Sequence, residues 1–143
     1  GRKFLLYDQS KRGGIEGFEA FFRGLPRITA EIRGRKLLLC SEIVDYKDGE
    51  FQYINRPLFQ KLIAESGLDA IYTVEKFDKH LDVLPEGGPW TRHSHKHEEI
   101  QDELLAQLRD GDFLCVKGIW ESNLPAFINY LRKQPDTSFI ALS

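Results

Sequence analysis

Residues 110–121 read DGDFLCVKGIWE, and this stretch decides which class of fold the chain adopts. An Asp-Gly turn precedes four apolar residues, 113–116, which predict a buried strand. A strand that is apolar on both faces is typical of a parallel sheet covered by helices on both sides. Lys117 and Gly118 end the strand, at the position where open α/β sheets bind their ligands. We therefore consider Lys117 a candidate binding residue; the alternative is a lysine whose charged head simply reaches water.

Short apolar strands and amphipathic helices alternate along the rest of the chain. Pro26 is predicted to limit the first helix, Asn55 suits the N-cap of the second, and residues 27–34 fit either an edge strand or a further helical turn. Residues 76–92 predict a loop with one short element near 81–84. This order predicts a Rossmann-like three-layer α/β/α fold with a mainly parallel sheet of about five to six strands. Strands are predicted at 4–7, 36–43, 70–74, 113–116 and 138–142, and helices at 15–25, 56–66, 97–108 and 123–133.

The composition limits the classes of partner that the protein can have. The 143 residues predict one domain, and because the chain begins at Gly1 rather than at methionine we expect a piece excised from a longer protein. A net charge of −2 and a pI of about 6.1 argue against nucleic acid or an anionic membrane as partner. No apolar run approaches the roughly 18 residues of a membrane helix, and no signal peptide is visible. Cys40 and Cys115 both fall in predicted buried strands, which suits reduced thiols in the cytoplasm better than a disulfide.

A second candidate site follows the first strand, in the loop DQSKRGG of residues 8–14. The loop matches neither GxGxxG nor GxxxxGK[ST], so neither a dinucleotide-binding domain nor a P-loop is predicted. Its acid, hydroxyl, cations and glycines suit either a solvated loop or a contact to phosphate. Polar residues end other strands too, and such convergence at one sheet edge is typical of a ligand-binding site. The predicted edge carries Asp8, Ser10, Lys11, Ser41, Glu42, Lys117 and Glu121.

Three histidines, His93, His95 and His97, alternate along the stretch RHSHKH. On a strand all three would face one way and could bind zinc, whereas on a helix only His93 and His97 would share a face. Ser94 suits a helix N-cap, which favours exposed histidines at a helix entrance; a zinc site and a substrate contact are the alternatives. No Ser-His-Asp or Cys-His arrangement can be assembled from the spacing, so no catalytic residue is assigned.

The order of these features resembles the C-terminal domain of the Mur ligases, and most of all the type that adds D-alanyl-D-alanine. These enzymes are ATP-dependent amide-bond ligases of peptidoglycan biosynthesis. The stretches that carry the resemblance are LLYDQSK at 5–11, GRKLLLCSE at 34–42 and, as the best match, LRDGDFLCVKG at 108–118. The chain departs from the family where Ser41-Glu42 replaces a Gly-Asp pair and where Ile119-Trp120 follows Lys117-Gly118 in place of Ser-Arg. The first stretch also lacks the family's Asn-Ala-Asn-Pro continuation.

The resemblance implies one domain of an ADP-forming carboxylate–amine ligase that closes over its own upstream ATPase domain. ATP and Mg²⁺ would be the cofactors of the full-length protein, and the isolated domain, which lacks the P-loop and the magnesium ligands, would be inactive. The resemblance also implies nucleotide or acyl-phosphate contacts from Asp8, Ser10 and Lys11. Contacts to the small-molecule substrate would come from Ser41, Glu42, Lys117, Gly118 and Glu121.

The rival hypothesis is a non-catalytic Rossmann-like module that binds a small ligand or a partner protein. Trp90 and Trp120 would then be interface anchors, although partial burial in the core is the more common use of tryptophan.

Overall fold

The computed structural model of the chain describes residues 2–10, 14–118 and 124–142. In these residues six strands form one sheet, and two short strands form a separate hairpin. Along the chain the strands are β1 (Arg2–Gln9), β2 (Lys36–Cys40), β3 (Tyr46–Lys47), β4 (Glu50–Phe51), β5 (Ala70–Val74), β6 (Trp90–Ser94), β7 (Phe113–Lys117) and β8 (Thr137–Leu142). The helices are α1 (Ile15–Thr29), α2 (Arg56–Ala64), α3 (His97–Gln107) and α4 (Leu124–Arg132), together with a 3-10 helix at Glu75–Val83.

The sheet of the described residues runs in the order β6-β5-β2-β7-β1-β8, and every neighbouring pair is parallel. One apolar core lies between the sheet and α1, α2 and the 3-10 helix, and a second lies between the other face and α3 and α4. Alternate residues of β7 supply both cores: Phe113 and Cys115 enter the first, while Leu114 and Val116 enter the second. This confirms the predicted three-layer parallel α/β fold.

The helix α1 runs through Pro26 to Thr29, so the prediction that Pro26 limits it was wrong. Proline removes one helical hydrogen bond, but only a single turn follows it here. That turn is held by tertiary contacts, since the buried Thr29 hydroxyl donates to the carbonyl oxygen of Ser66 at 2.8 Å. The predicted N-cap of α2 is confirmed, because the Asn55 side chain accepts from the Leu58 amide at 3.1 Å.

Residues 76–92 are more ordered than the sequence predicts. They hold most of the 3-10 helix and the first half of β6, where a loop with one short element was expected. The strand β6 has no apolar run because it lies at the edge of the sheet, where Trp90 is 57% exposed. Its pairing with β5, rather than its composition, makes it a strand.

An ion pair between a partly exposed arginine and a buried aspartate stabilises the amino edge of the sheet. Arg35, just before β2, donates through Nε and Nη2 to both oxygens of Asp112, at 3.0 and 2.7 Å. Asp112 is 2% exposed and also accepts from the Arg109 amide at 2.7 Å. The hydrogen bonds that Arg35 donates to the Asp112 carboxylate raise the pKa of Arg35. Beside the pair, Gly34 approaches Gly111 so closely that a Cβ at residue 34 would lie 1.9 Å from the Gly111 carbonyl oxygen.

Candidate functional site

Three central strands meet at the carboxyl edge of the sheet. Lys117, the last residue of β7, is in register with Gln9 at the end of β1 and with Cys40 at the end of β2. From β1 and β2 the chain continues into α1 and α2 on one face, whereas from β7 it continues to α4 on the other. A change of face between neighbouring strands defines a topological switch point, the usual ligand position of such sheets.

The side chain of Lys117 points toward α1 and is 1% exposed. It follows Phe113 and Cys115 on the α1 face, and its Nζ lies 5.1 Å from the centroid of the Phe18 ring and 5.8 Å from that of Phe21. A Cβ at Gly17 would be 3.6 Å from this Nζ, so the ammonium lies against the first turn of α1. The alternative that Lys117 simply reaches water is wrong. The site instead holds a positive charge in a region of low dielectric.

The two cysteines are buried and free, as predicted. Burial raises the pKa of both thiols, and the nearby charge of Lys117 opposes that rise at Cys40. The Cys40 sulfur contacts the Ser41 carbonyl oxygen at 3.3 Å. Both groups are therefore neutral packing residues and do not act as nucleophiles near neutral pH.

Asp8 and Ser10 form a compact turn at the end of β1. Asp8 Oδ1 accepts from the Ser10 amide at 3.0 Å and from its hydroxyl at 2.6 Å. Asp8 is exposed, whereas Ser10 is 1% exposed. Asp8 is in register with Val116, which enters the core on the α3 and α4 side, so its carboxylate lies on the opposite face from Lys117. The structure brings these residues to one edge but not side by side.

Ser41 and Glu42 occupy different environments just after β2. Ser41 is 0% exposed, and its amide donates to the Lys117 carbonyl oxygen at 3.0 Å. Glu42 is partly exposed, and its carboxylate lies 3.4 Å from Nζ of Lys79 in the 3-10 helix. Gly118 is buried, and its amide donates to the Gln9 carbonyl oxygen at 3.2 Å. Lys11, Trp120 and Glu121 lie outside the described residues.

Glu75 is a residue at this edge that sequence reasoning missed. It follows β5 directly and is partly buried, with a φ of +55° that is rare for a residue with a side chain. Burial raises the pKa of Glu75, and the nearby His97 opposes that rise. The signal that singled out Ser41 and Glu42, a polar residue directly after a buried strand, would also have found it.

The histidine stretch begins on a strand, so the predicted helix entrance was wrong for its first half. His93 lies in β6, where its Nδ1 is 2.8 Å from the Thr73 hydroxyl, and its ring centroid lies 5.2 Å from that of His95. His95 Nε2 is 3.3 Å from Asp78, and His97 opens α3. Ser94 does not cap the helix directly; its hydroxyl accepts from the Lys96 amide at 3.0 Å. In residues 2–10, 14–118 and 124–142, no three His, Cys, Asp or Glu side chains are grouped as metal ligands.

The fold defines the class of this protein as a three-layer parallel α/β domain with a topological switch point at the carboxyl edge of its sheet. No helix in the described part of the chain has the length and apolar character to cross a bilayer. No protein-family model matches the chain, and no curated protein sequence matches it.

Solved structures of Mur ligases share the fold. The MurF ligase from Thermotoga maritima, solved in complex with ADP, superimposes over 84% of this chain with a TM-score of 0.59 and 14% sequence identity. A domain from Haemophilus ducreyi 35000HP, assigned to a UDP-N-acetylmuramate:L-alanyl-gamma-D-glutamyl-medo-diaminopimelate ligase, matches over 90% with a TM-score of 0.58 and 11% identity. This chain spans 26% of the MurF chain and 88% of the Haemophilus domain. At these sequence identities the similarity shows a shared fold and no more.

Proposed function

We propose that this chain is the nucleotide- and substrate-contacting C-terminal domain of an ATP-dependent carboxylate–amine ligase of the Mur type. The observation that carries the proposal is the burial of Lys117, 1% exposed, at the switch point of the parallel sheet. Its charge lies against the first turn of α1, whose amide groups also present positive potential. Two sources of positive potential at one ligand-binding edge suit an anionic reactant such as a phosphoryl group.

The reaction proceeds in two steps. A carboxylate oxygen attacks the γ-phosphorus of ATP, and ADP leaves with the electron pair of the broken P–O bond. An amine then attacks the acyl carbon of the resulting acyl phosphate; the C–O bond to phosphate breaks, phosphate leaves, and the nitrogen loses a proton to form the amide. Both steps spread negative charge over phosphate oxygens, which a fixed positive potential stabilises.

Each candidate residue has a proposed part in this scheme. The loop of Asp8, Ser10 and Lys11 contacts nucleotide or acyl phosphate. Because the Lys117 ammonium is covered, it acts through its field across the first turn of α1 and not as a nucleophile. Glu42 would exchange Lys79 for the amine of the incoming substrate. The remaining proposed substrate contacts are Ser41, Gly118 and Glu121.

ATP and Mg²⁺ belong mainly to a separate ATPase domain in this proposal. The described residues offer no group of three metal ligands, and the sequence carries no P-loop. When bound, Mg²⁺ neutralises charge on the phosphates. The chain spans about a quarter of the MurF ligase, 26%, which leaves room for such a domain in a protein of that design. Reduced, buried cysteines fit a cytoplasmic enzyme of peptidoglycan synthesis.

The test uses the whole polypeptide in which this domain occurs, assayed for ADP formation coupled to amide formation. UDP-N-acetylmuramoyl carboxylates and a panel of amino-acid and peptide amines serve as substrates. We expect Lys117→Met, which keeps the apolar stem and removes the charge, to lower kcat/KM about 100-fold, the usual effect of losing one preorganised electrostatic contact. The matched control is Lys3→Met, an exposed lysine near the opposite edge, which should leave the rate unchanged.

Two results would overturn the proposal. One is the absence of ADP formation with every substrate pair in a polypeptide that is folded by circular dichroism, which would favour the non-catalytic module. The other is an unchanged kcat/KM in Lys117→Met. ATP turnover by the 143 residues on their own would contradict the assignment of the ATPase to a separate domain.

A further inference from the structure

His80 lies in the 3-10 helix and has no part in the ligase reaction proposed for the carboxyl edge. Its side chain is 1% exposed, and its Nε2 lies 2.9 Å from the Ile43 carbonyl oxygen. Because a carbonyl oxygen can only accept, Nε2 carries a proton, and Nδ1 of the neutral ring carries none. Nδ1 is buried, and it has no hydrogen-bond partner within the part of the chain that the structure describes. His80 is therefore a buried imidazole held by one bond in one tautomer.

The bond from His80 fastens the middle of residues 41–45, which we call the β2 exit segment. At its start, the Ser41 amide donates to the Lys117 carbonyl oxygen at the end of β7. Ile43 is 0% exposed, and Val44 bridges to Gly14 just before α1. The segment thus lies between the end of β7, the start of α1 and the 3-10 helix, at the candidate site.

We propose that His80 is a pH-sensitive positioning residue: its neutral imidazole holds the β2 exit segment in place at the carboxyl edge, and its protonation releases the segment. The consequence for ligand binding rests on the proposed function. The structural part, the hold on residues 41–45, does not depend on it.

The groups around His80 favour the neutral ring near neutral pH. Burial lowers the pKa of His80, and the bond to Ile43 opposes this only in part. Lys79 on the same helix and Arg56 on α2 also lower it, while Asp45 on the exit segment raises it. A second proton would go to Nδ1 and create a buried donor with no acceptor among the described residues.

The direction of the pH effect follows from this shift. The pKa of His80 in the folded chain lies below the value of about 6.5 expected when unfolded. The contribution of the neutral ring is therefore fully present above about pH 6.5 and is lost as the pH falls through the folded pKa. The neutral ring of His80 should therefore hold the β2 exit segment in place near neutral pH, and the segment should be released in acid.

The experiment follows the Ser41 amide, which reports the bond to Lys117, by hydrogen exchange between pH 7.5 and 5 with correction for intrinsic rates. In the wild-type chain we expect protection to fall by up to about tenfold for each pH unit from about 6.5 down to the lowered pKa of His80. His80→Gln keeps a side-chain N–H donor but cannot titrate, so its Ser41 protection should stay constant over this range. His95→Gln, which changes an imidazole that is 71% exposed, is the matched control and should follow the wild type.

A nitrogen-15 spectrum of the His80 ring tests the starting state without any variant. It should show the Nε2–H tautomer at pH 7.5. An Nδ1–H tautomer, constant Ser41 protection in the wild type, or an equal acid response in His80→Gln would each overturn the inference. In the whole polypeptide, acid should raise KM more in the wild type than in His80→Gln. Should that polypeptide form no ADP at all, the proposed function fails while the exchange data still decide the role of His80.

Discussion

The ammonium group of Lys117 lies 5.1 Å from the centre of the Phe18 ring, inside the core on the α1 side. A cation over an aromatic face is attracted by the ring quadrupole, and the attraction is strongest where water is excluded. The ring therefore helps to hold a charged side chain where desolvation opposes it. The contact connects the packing of α1 with the electrostatics of the candidate site.

The cation–π contact should be measurable as a stability difference between two buried phenylalanines. Phe18 and Phe127 are both 0% exposed, and each has an aromatic neighbour at 6.4 Å. We expect Phe18→Leu to cost about 1 kcal/mol more in the free energy of unfolding than Phe127→Leu, the size of one desolvated cation–π contact. Denaturant unfolding of both variants checks this. Equal losses would mean that the ring contributes packing alone.

Because Asp112 is buried, breaking its ion pair with Arg35 should lower the free energy of unfolding more than breaking an exposed ion pair. Arg35→Met leaves a carboxylate that is 2% exposed without its guanidinium, and we expect a loss of about 3 kcal/mol in the free energy of unfolding. The control is Arg56→Met, which breaks a pair with Asp82 of the same 2.7 Å length between side chains that are 40% and 59% exposed. That change should cost at most about 1 kcal/mol. Similar losses in the two variants would show that burial is not the cause.

Substitution of two glycines by alanine should change the stability of the fold in opposite directions. Gly34→Ala puts a Cβ 1.9 Å from a backbone oxygen of Gly111, and we expect it to destabilise the chain by about 3 kcal/mol or more. Gly24 is exposed within α1, and a Cβ added there would meet no atom within 4 Å. Gly24→Ala should therefore stabilise the chain by about 0.5–1 kcal/mol through helix propensity. The unfolding temperatures of both variants, compared with that of the wild type, test these two expectations. A tolerated Gly34→Ala would contradict the close approach.

His93 should add to acid sensitivity at the β6 edge. Burial lowers its pKa and the neighbouring His95 lowers it further, so the neutral ring stabilises the fold above about pH 6.5 and that contribution is lost as the pH falls. We expect His93→Asn, which keeps a polar group near the Thr73 hydroxyl, to show a shallower fall in the free energy of unfolding between pH 7 and 5. The difference in slope is at most about 1.4 kcal/mol per pH unit, one proton. Identical slopes would contradict this role.

Within the six-stranded sheet, the strands that the sequence predicted and the one that it did not predict, β6, differ in how far they are covered by neighbouring elements. The strands β2, β5 and β7 have neighbours on both sides and helices over both faces, so nearly all of their residues are buried and apolar runs reveal them. The strand β6 has one neighbour, and its sequence WTRHS carries no such run. Local patterns report how a residue is covered, and an edge strand is only partly covered.

In the candidate site too, some features were predictable from the sequence and others were not. The carboxyl ends of β1, β2 and β7 were predictable as one edge, because parallel strands end together. The pairing of Glu42 with Lys79 and the bond from His80 to Ile43 join residues 37 positions apart. No local pattern predicts such pairs, since they depend on where the 3-10 helix lies against β2.

The sequence by itself determined the layer architecture and the edge at which polar residues collect, because hydrophobic periodicity and strand direction are local properties. The tertiary structure alone decided that Lys117 turns into the core toward Phe18, and that Asp8 lies on the other face. The side chain of a strand residue alternates with its position, but whether its end meets water or a helix depends on what covers that face. In this chain α1 covers it, and the lysine at the end of DGDFLCVK is consequently a buried charge.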